Sequence, residues 1–178
     1  MTRTLTRSYD SHATARSVVE QLEAAGVSSS DISLVGRDGK SGETNAEEGA
    51  GIGAGVGGAA GLLAGLGIMA IPGVGPVVAA GWLASTAAGA VAGAAAGGLV
   101  GSFISEGHDR DEAGYYAETV RRGGSIVSVR TEPEHEATIS AILDGATPID
   151  RTAREAEYRA GGWERFDENA GPYRPPVV

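Results

Sequence analysis

The chain has no cysteine, one lysine (Lys40), two Trp, two Phe and five Tyr in 178 residues. Without cysteine there is no disulfide scaffold, thiolate metal site, iron–sulfur cluster or Cys nucleophile. Basic residues are also scarce: 14 Lys+Arg face 23 Asp+Glu, a formal charge of −9. That balance argues against a nucleic-acid partner, because neutralising phosphates needs a basic surface. The opening Met1-Thr-Arg-Thr-Leu-Thr-Arg7 has no apolar run of the secretory kind, so export is not expected. The most telling absence is internal: from Ala50 to Ser105 there is no Asp, Glu, Lys, Arg or His.

What fills that stretch is Gly, Ala and aliphatic residues, drawn from a total of 29 Gly. The flanks differ in kind. Residues 1–49 carry 5 basic and 8 acidic side chains, and residues 106–178 carry 9 and 15. Two water-compatible parts thus bracket an uncharged middle, and the length suits one domain with a large insertion.

The flanks read as one split α/β domain. Thr2–Ser8 alternates weakly and suits an edge strand. Ser11 can cap a helix on which Ala15, Val18, Val19, Leu22 and Ala25 recur, with Gly26 ending it. Ile32–Val35 is a short strand. Beyond the middle, Asp109 or Asp111 opens a helix bearing Ala113, Tyr116, Ala117 and Val120 on one face, stopped by Arg121, Arg122 and Gly123. Ser125–Thr131 is rich in β-branched residues and reads as a strand. Glu134–Asp144 reads as a helix with Ala137, Ala141 and Ile142 inward, and Thr147–Arg151 as a last short strand. The expected class is α+β, a ferredoxin-like βαβ…βαβ domain (residues 1–36 and 110–151) split by an inserted hairpin over 47–106. Right-handed crossovers would set both main helices on one sheet face.

Ala50–Ile71 spans about 33 Å as a helix, and Pro76–Ser105 about 45 Å. Ile71-Pro-Gly-Val-Gly-Pro76 breaks them, and Pro76 suits a first helical turn. Gly49, Gly53, Gly57, Gly61 and Gly65 form an i, i+4 row; Gly81, Ser85, Gly89, Gly93, Gly97 and Gly101 form a second. Such rows let helical backbones approach closely, so the expectation is a glycine-zipper α-helical hairpin. The bulky residues collect near its tip, among them Leu62, Leu66, Ile71, Val74, Val77, Trp82 and Leu83. Burial of that tip in lipid and burial among sister subunits are both open, as is a segment without fixed structure.

Several stretches carry a likeness. They are Tyr9-Asp-Ser-His-Ala13, the step from Leu22-Glu-Ala-Ala-Gly26 to Asp31-Ile-Ser-Leu-Val35, and Leu66-Gly-Ile-Met-Ala-Ile-Pro-Gly-Val-Gly-Pro76. Tyr116-Ala-Glu-Thr-Val-Arg-Arg-Gly-Gly124 and Val127-Ser-Val129 continue it. In this order, over roughly residues 5–151, they resemble the bacterial general stress and low-temperature-induced protein family, whose members have a Gly-rich apolar centre. The resemblance implies a stress-induced, non-enzymatic protein with no catalytic residues to carry over and no cofactor.

Reaction chemistry has little support elsewhere. Gly53-Ala-Gly-Val-Gly-Gly58 fits GxGxxG, yet it does not directly follow a strand as a dinucleotide site requires. Gly39-Lys-Ser41 lacks the upstream glycine of a phosphate loop and reads as a polar turn. His108 beside Asp109, Asp111 and Glu112 could hold a hard cation, but acids at a helix start normally cap it. His12 and His135 read as solvated, and Glu47-Glu48 as a charged collar to the apolar segment. Arg151–Ala160 reads as a charged helix, which Gly161-Gly162 breaks. Trp163, Phe166 and Tyr173 make the 152–178 tail too aromatic for a free one, so docking on its own domain or a sister subunit is expected. The expected product is a homo-oligomer, with membrane lipid as a second partner. The expected location is a cytoplasmic domain associated with the inner membrane, or wholly cytoplasmic.

Overall fold

Strand pairing begins where β-branched and alternating residues sit opposite one another. The computed structural model describes residues 2–37, 67–71, 73–86, 98–170 and 173. β1 (Arg3–Tyr9) runs antiparallel to β5 (Ser125–Thr131) over its whole length, from Arg3 opposite Thr131 to Tyr9 opposite Ser125. The Ser11 hydroxyl accepts from the Thr14 N–H at 3.0 Å and starts α1 (His12–Ala24), which buries Ala15, Val18, Val19 and Leu22. Gly26 takes φ +89° to leave the helix, and a 3₁₀ turn leads into β2 (Ile32–Gly36). β2 pairs with the other side of β5, again antiparallel. β1 and β2 therefore run parallel with β5 between them, joined by α1 in a split β-α-β arrangement.

The uncharged segment extends this sheet. β3 (Gly67–Ile71) and β4 (Gly75–Gly81) form an antiparallel hairpin, and β4 pairs with β2 from Gly36–Val78 to Ser33–Gly81. The order is β1-β5-β2-β4-β3. Residues 82–86 are helical, and α2 (Gly98–Ser105) follows further along. Asp109 caps α3 (Arg110–Arg121); α4 (Glu136–Gly145) follows β5, and Asp150 caps α5 (Arg151–Ala160).

The sheet separates two cores. On one face α1 and α4 bury Tyr9, Val18, Leu22, Ile32, Leu34, Val127, Val129, Ile139 and Leu143. On the other, α2, α3, α5 and the tail cover Val35, Ile71, Val77, Ala79 and Ile126 with Phe103, Tyr115, Tyr116 and Tyr158. Strand alternation feeds both: Val35 points to one core and its neighbour Leu34 to the other.

Three expectations need correction. Residues 67–71 and 75–81 are strands, not the end of one helix and the start of another. Gly73 and Gly75 take φ +75° and +93° at the turn, and Pro76 sits in β4 beyond the stretch paired to β2, where a missing N–H costs no bond to that strand. The available edge of β2 and the β-branched Val77 and Val78 decide for sheet. The side chains expected to form an outward tip, Ile71, Val74, Val77, Val78 and Leu83, are instead buried in the chain's own core. Second, Thr147–Arg151 forms no strand: Thr147 has φ +53°, and the contact with β1 is one bond, Ile149 N–H to Ser8 C=O at 2.7 Å. Third, α4 turns Ile139 and Leu143 inward, while Ala137 and Ala141 are exposed, because the larger side chains claim the core.

Candidate functional site

The two glycine rows lie mainly beyond the described residues: Gly49, Gly53, Gly57, Gly61, Gly65, Gly89, Gly93 and Gly97 fall outside them, as do the GxGxxG stretch, Gly39-Lys-Ser41 and Glu47-Glu48. Three members have a place. Gly81 is not on a helix face; it ends β4 at φ +82°, and a Cβ there would lie 2.3 Å from the Ile32 carbonyl oxygen. Its glycine serves a close strand contact. Ser85 lies within helical residues 82–86, where its hydroxyl donates to the Gly81 carbonyl at 3.4 Å, and Gly101 lies in α2.

Polar chemistry concentrates in three places on the α2–α3–α5 side. The first is a chain through His108. Ser128 Oγ and Thr6 Oγ1 are 2.9 Å apart, Thr6 Oγ1 and His108 Nε2 3.0 Å, and His108 Nδ1 and Glu112 Oε2 2.9 Å. Tyr116 donates to Glu112 Oε1 at 3.1 Å and Arg151 reaches the same oxygen at 3.2 Å. Hydroxyl, imidazole and carboxylate stand in the order of a nucleophilic relay. Yet Thr6 is 5% exposed on the inner face of β1, leaving no room for a substrate carbonyl. The chain ties β1, β5, α3 and α5 together. Burial and then the Glu112 charge push the Tyr116 phenol up, and burial does the same to Tyr115. Asp109 accepts the Glu112 N–H at 2.7 Å, which lowers its pKa. The acids beside His108 are thus used for capping and pairing, and no cluster able to hold a metal occurs among the described residues.

His12, expected to be solvated, is half-buried with Nδ1 3.3 Å from Ser125 Oγ. His135 is exposed at the start of α4.

The second place joins the uncharged segment to the sheet. The Arg130 guanidinium lies 4.0 Å over the Trp82 ring and grips Glu106 with two nitrogens, Nε reaching Oε2 at 3.0 Å. Thr4 donates to the same Oε2 at 3.1 Å. The Glu106 hydrogen bond holds the Arg130 pKa above its ordinary value. Thr4, Glu106 and Arg130 border a cavity of about 500 Å³ with Arg3, Ser105 and Glu136, and each charge there is already paired.

The third place is where the tail returns. Trp163 and Phe166 pack against the core that contains Tyr158 and Tyr115, and Phe166 Cβ lies 3.6 Å from where a Cβ on Gly114 would be. At the end of α3, Glu118 is fully buried and Arg122 Nε meets its Oε1 at 2.6 Å. The Arg122 guanidinium is 4.3 Å from the Tyr158 ring and 4.5 Å from the Tyr173 ring. Arg159 lies 5.6 Å over Trp163. Glu118, Arg121, Arg122, Trp163, Arg165 and Tyr173 line a cavity of about 420 Å³.

Trp163, Phe166 and Tyr173 are thus brought to one side of α3, on the chain's own domain. Glu118 and Trp82 were not singled out in the sequence as site residues, and Arg121 and Arg122 read only as helix-stop cations. One signal is present: Glu118 stands four residues before Arg122, amid the apolar and aromatic run Ala113–Ala117 and Val120. Comparison with protein-family models, curated proteins and solved structures finds no match to this chain, so the likeness to the general stress proteins rests on the residues quoted above.

Proposed function

We propose that this chain is a non-enzymatic, self-associating protein of the bacterial stress-response kind, in which the uncharged segment joins copies together. The observation that carries this reading is the contrast between the two sheet edges among the described residues. β1 carries Arg3 and Arg7, both in ion pairs, and receives the Ile149 N–H. β3, Gly67-Ile-Met-Ala-Ile71, has no charged side chain, and Ile68 is 37% exposed. An uncharged edge is a template for pairing, and in a chain of −9 it is where a second copy meets least repulsion.

A ferredoxin-like frame is the finer fold reading. It is supported by the split β-α-β unit of β1, α1, β2 and β5, by α1 and α4 sharing one face, and by the Ile149 bond beside β1. The β3–β4 hairpin and α2 would then be the insertion.

Association between protein copies is favoured over a bilayer, because Ile71, Val74, Val77 and Leu83 are spent on the chain's own core. No helix among the described residues is long and apolar enough to cross a membrane. Light scattering with and without detergent tests the reading. A detergent-independent particle larger than one chain is expected, reduced to a monomer by Ile68→Lys or Ala70→Lys. Gly57→Leu and Gly93→Leu should also weaken assembly if the glycine rows pack, with Gly42→Leu as the tolerated control. A wild-type monomer in both conditions overturns self-association, and a species held together only in detergent returns the segment to lipid.

A further inference from the structure

The segment from Trp163 to Ala170 crosses two other elements without joining either by regular structure. It leaves α5 through Gly161-Gly162, with Gly162 at φ +88°. The Trp163 N–H donates to the Tyr158 carbonyl at 2.9 Å, and the indole stands edge-on to the Tyr158 ring. Phe166 then crosses α3 at Gly114, its Cβ 3.6 Å from where a Cβ on that glycine would be. Further on, the backbone reaches the β3–β4 turn. A Cβ on Gly73 would lie 2.8 Å from the Asp167 carbonyl oxygen.

Little holds this crossing in place. Among the described residues, no backbone hydrogen bond runs from residues 164–170 to the rest of the domain; the N–H groups of Asn169 and Ala170 return to Asp167. Trp163 and Phe166 pack against the core, while Glu164, Arg165, Asp167, Glu168 and Asn169 are exposed. A segment with two anchors, an exposed course and a glycine pair at its base opens at less cost than the sheet. The core it packs on includes Ile71 and Val74, which flank the Gly73 turn and are 3% and 0% exposed.

We propose that residues 163–170 form a releasable strap that restrains self-association at the hairpin. This inference rests on the pairing at β3 proposed above. Closed, the strap sets Asp167 and Glu168 against a turn two residues beyond the end of the uncharged edge, where they repel a second copy of a −9 chain. Open, it removes those charges and bares apolar surface at Ile71 and Val74. The edge itself stays in place, because β4 is paired to β2 and β3 to β4.

Two full-length variants release the strap from opposite sides. Phe166→Ala removes its anchor. Gly114→Leu fills the place where Phe166 sits, and leucine is the better helix former, so α3 is kept. Trypsin cleavage after the exposed Arg165, identified by mass spectrometry, reports opening. It should accelerate at least about ten-fold in both variants, with a single cooperative melt retained. Gly114→Leu leaves the cleaved bond itself unaltered. Light scattering on dilution should then show both variants associating at about ten-fold lower concentration than wild type. Asp167→Asn with Glu168→Gln should leave cleavage unchanged and shift association the same way by a smaller amount at low salt. If Gly114→Leu does not fold, Phe166→Ala carries the test. Unchanged cleavage in the folded variants overturns the strap, and faster cleavage with unchanged or weaker association overturns the restraint. If no form associates, the pairing at β3 fails and this inference with it; association that ignores release sinks this inference alone.

Discussion

A Cβ placed on Gly73 would lie 2.7 Å from the Cα of Glu168. The turn of the β3–β4 hairpin thus presses on the backbone of the carboxy-terminal segment, joining two stretches that are far apart in the chain. Gly73 also takes φ +75°. Gly73→Ala should cost about 2–3 kcal/mol, combining left-handed strain with a backbone clash that no rotamer relieves. Gly26→Ala is the comparison: φ is +89° but nothing lies within 4 Å of the added carbon, so about 1 kcal/mol is expected. Urea denaturation measures both, and equal losses would mean that the turn and the tail do not touch.

Leu83 separates a hairpin packed in the domain's core from one that projects away from it. It is 0% exposed in the core shared with Phe103, Tyr115 and Tyr116. Leu83→Ala should destabilise the fold by about 2–5 kcal/mol through lost burial and the cavity left behind. An unchanged thermal midpoint would mean that Leu83 is not part of this core.

Glu118→Ala should be among the costliest single changes in the chain. It strands the Arg122 guanidinium, now 2.6 Å from the carboxylate, in a site with little water, and about 3–5 kcal/mol is expected. Replacing both partners with leucine should cost less than Glu118→Ala alone, since Arg121, 3.6 Å from the same carboxylate, is then the one cation of the three groups left without its partner. If the double variant is the worse of the two by chemical denaturation, the penalty is not one of stranded charge.

Three of the five tyrosines, Tyr9, Tyr115 and Tyr116, have phenols raised above their ordinary value, in each case chiefly by burial. Tyr9 also donates to the Leu143 carbonyl at 2.8 Å. A raised phenol favours the neutral form in the folded state. Its stabilising contribution is complete below the ordinary phenol range near pH 10 and is lost as pH rises through the folded value. Ultraviolet titration should therefore show these groups ionising only as circular dichroism reports unfolding, with Tyr9→Phe shallowing the alkaline loss. Ionisation of all five near the ordinary value, with a native spectrum, would contradict their burial.

Much of the local structure is legible in the residues. Ser11 and Asp109 open α1 and α3 because a short polar side chain followed by helical spacing satisfies the first free N–H groups wherever the chain goes. β5 follows from its β-branched run, and α5 ends at Gly161 as its charge pattern and the glycine pair imply. The aromatic tail is legible as something that docks. Its partner is not, because the cover it forms over α3 joins residues about 40 positions apart.

The stretch from Gly67 to Gly81 shows where local reading stops. Proline at a first helical turn and glycine at every fourth position fit a helix as well as Val77 and Val78 fit a strand. What decides between them is an available edge on β2, a feature that exists only once the sheet has formed. The same holds for the missing charge. A segment free of charge suits lipid, but it equally suits a strand such as β4, which is covered on both faces. The sequence by itself determined helix starts, helix stops and a charge-free middle, since capping, φ preference and composition act over a few residues. Only the tertiary structure decided that part of this middle becomes sheet, that Glu118 is enclosed with Arg122, and that Gly73 meets Glu168, because each depends on surfaces brought together from distant parts of the chain.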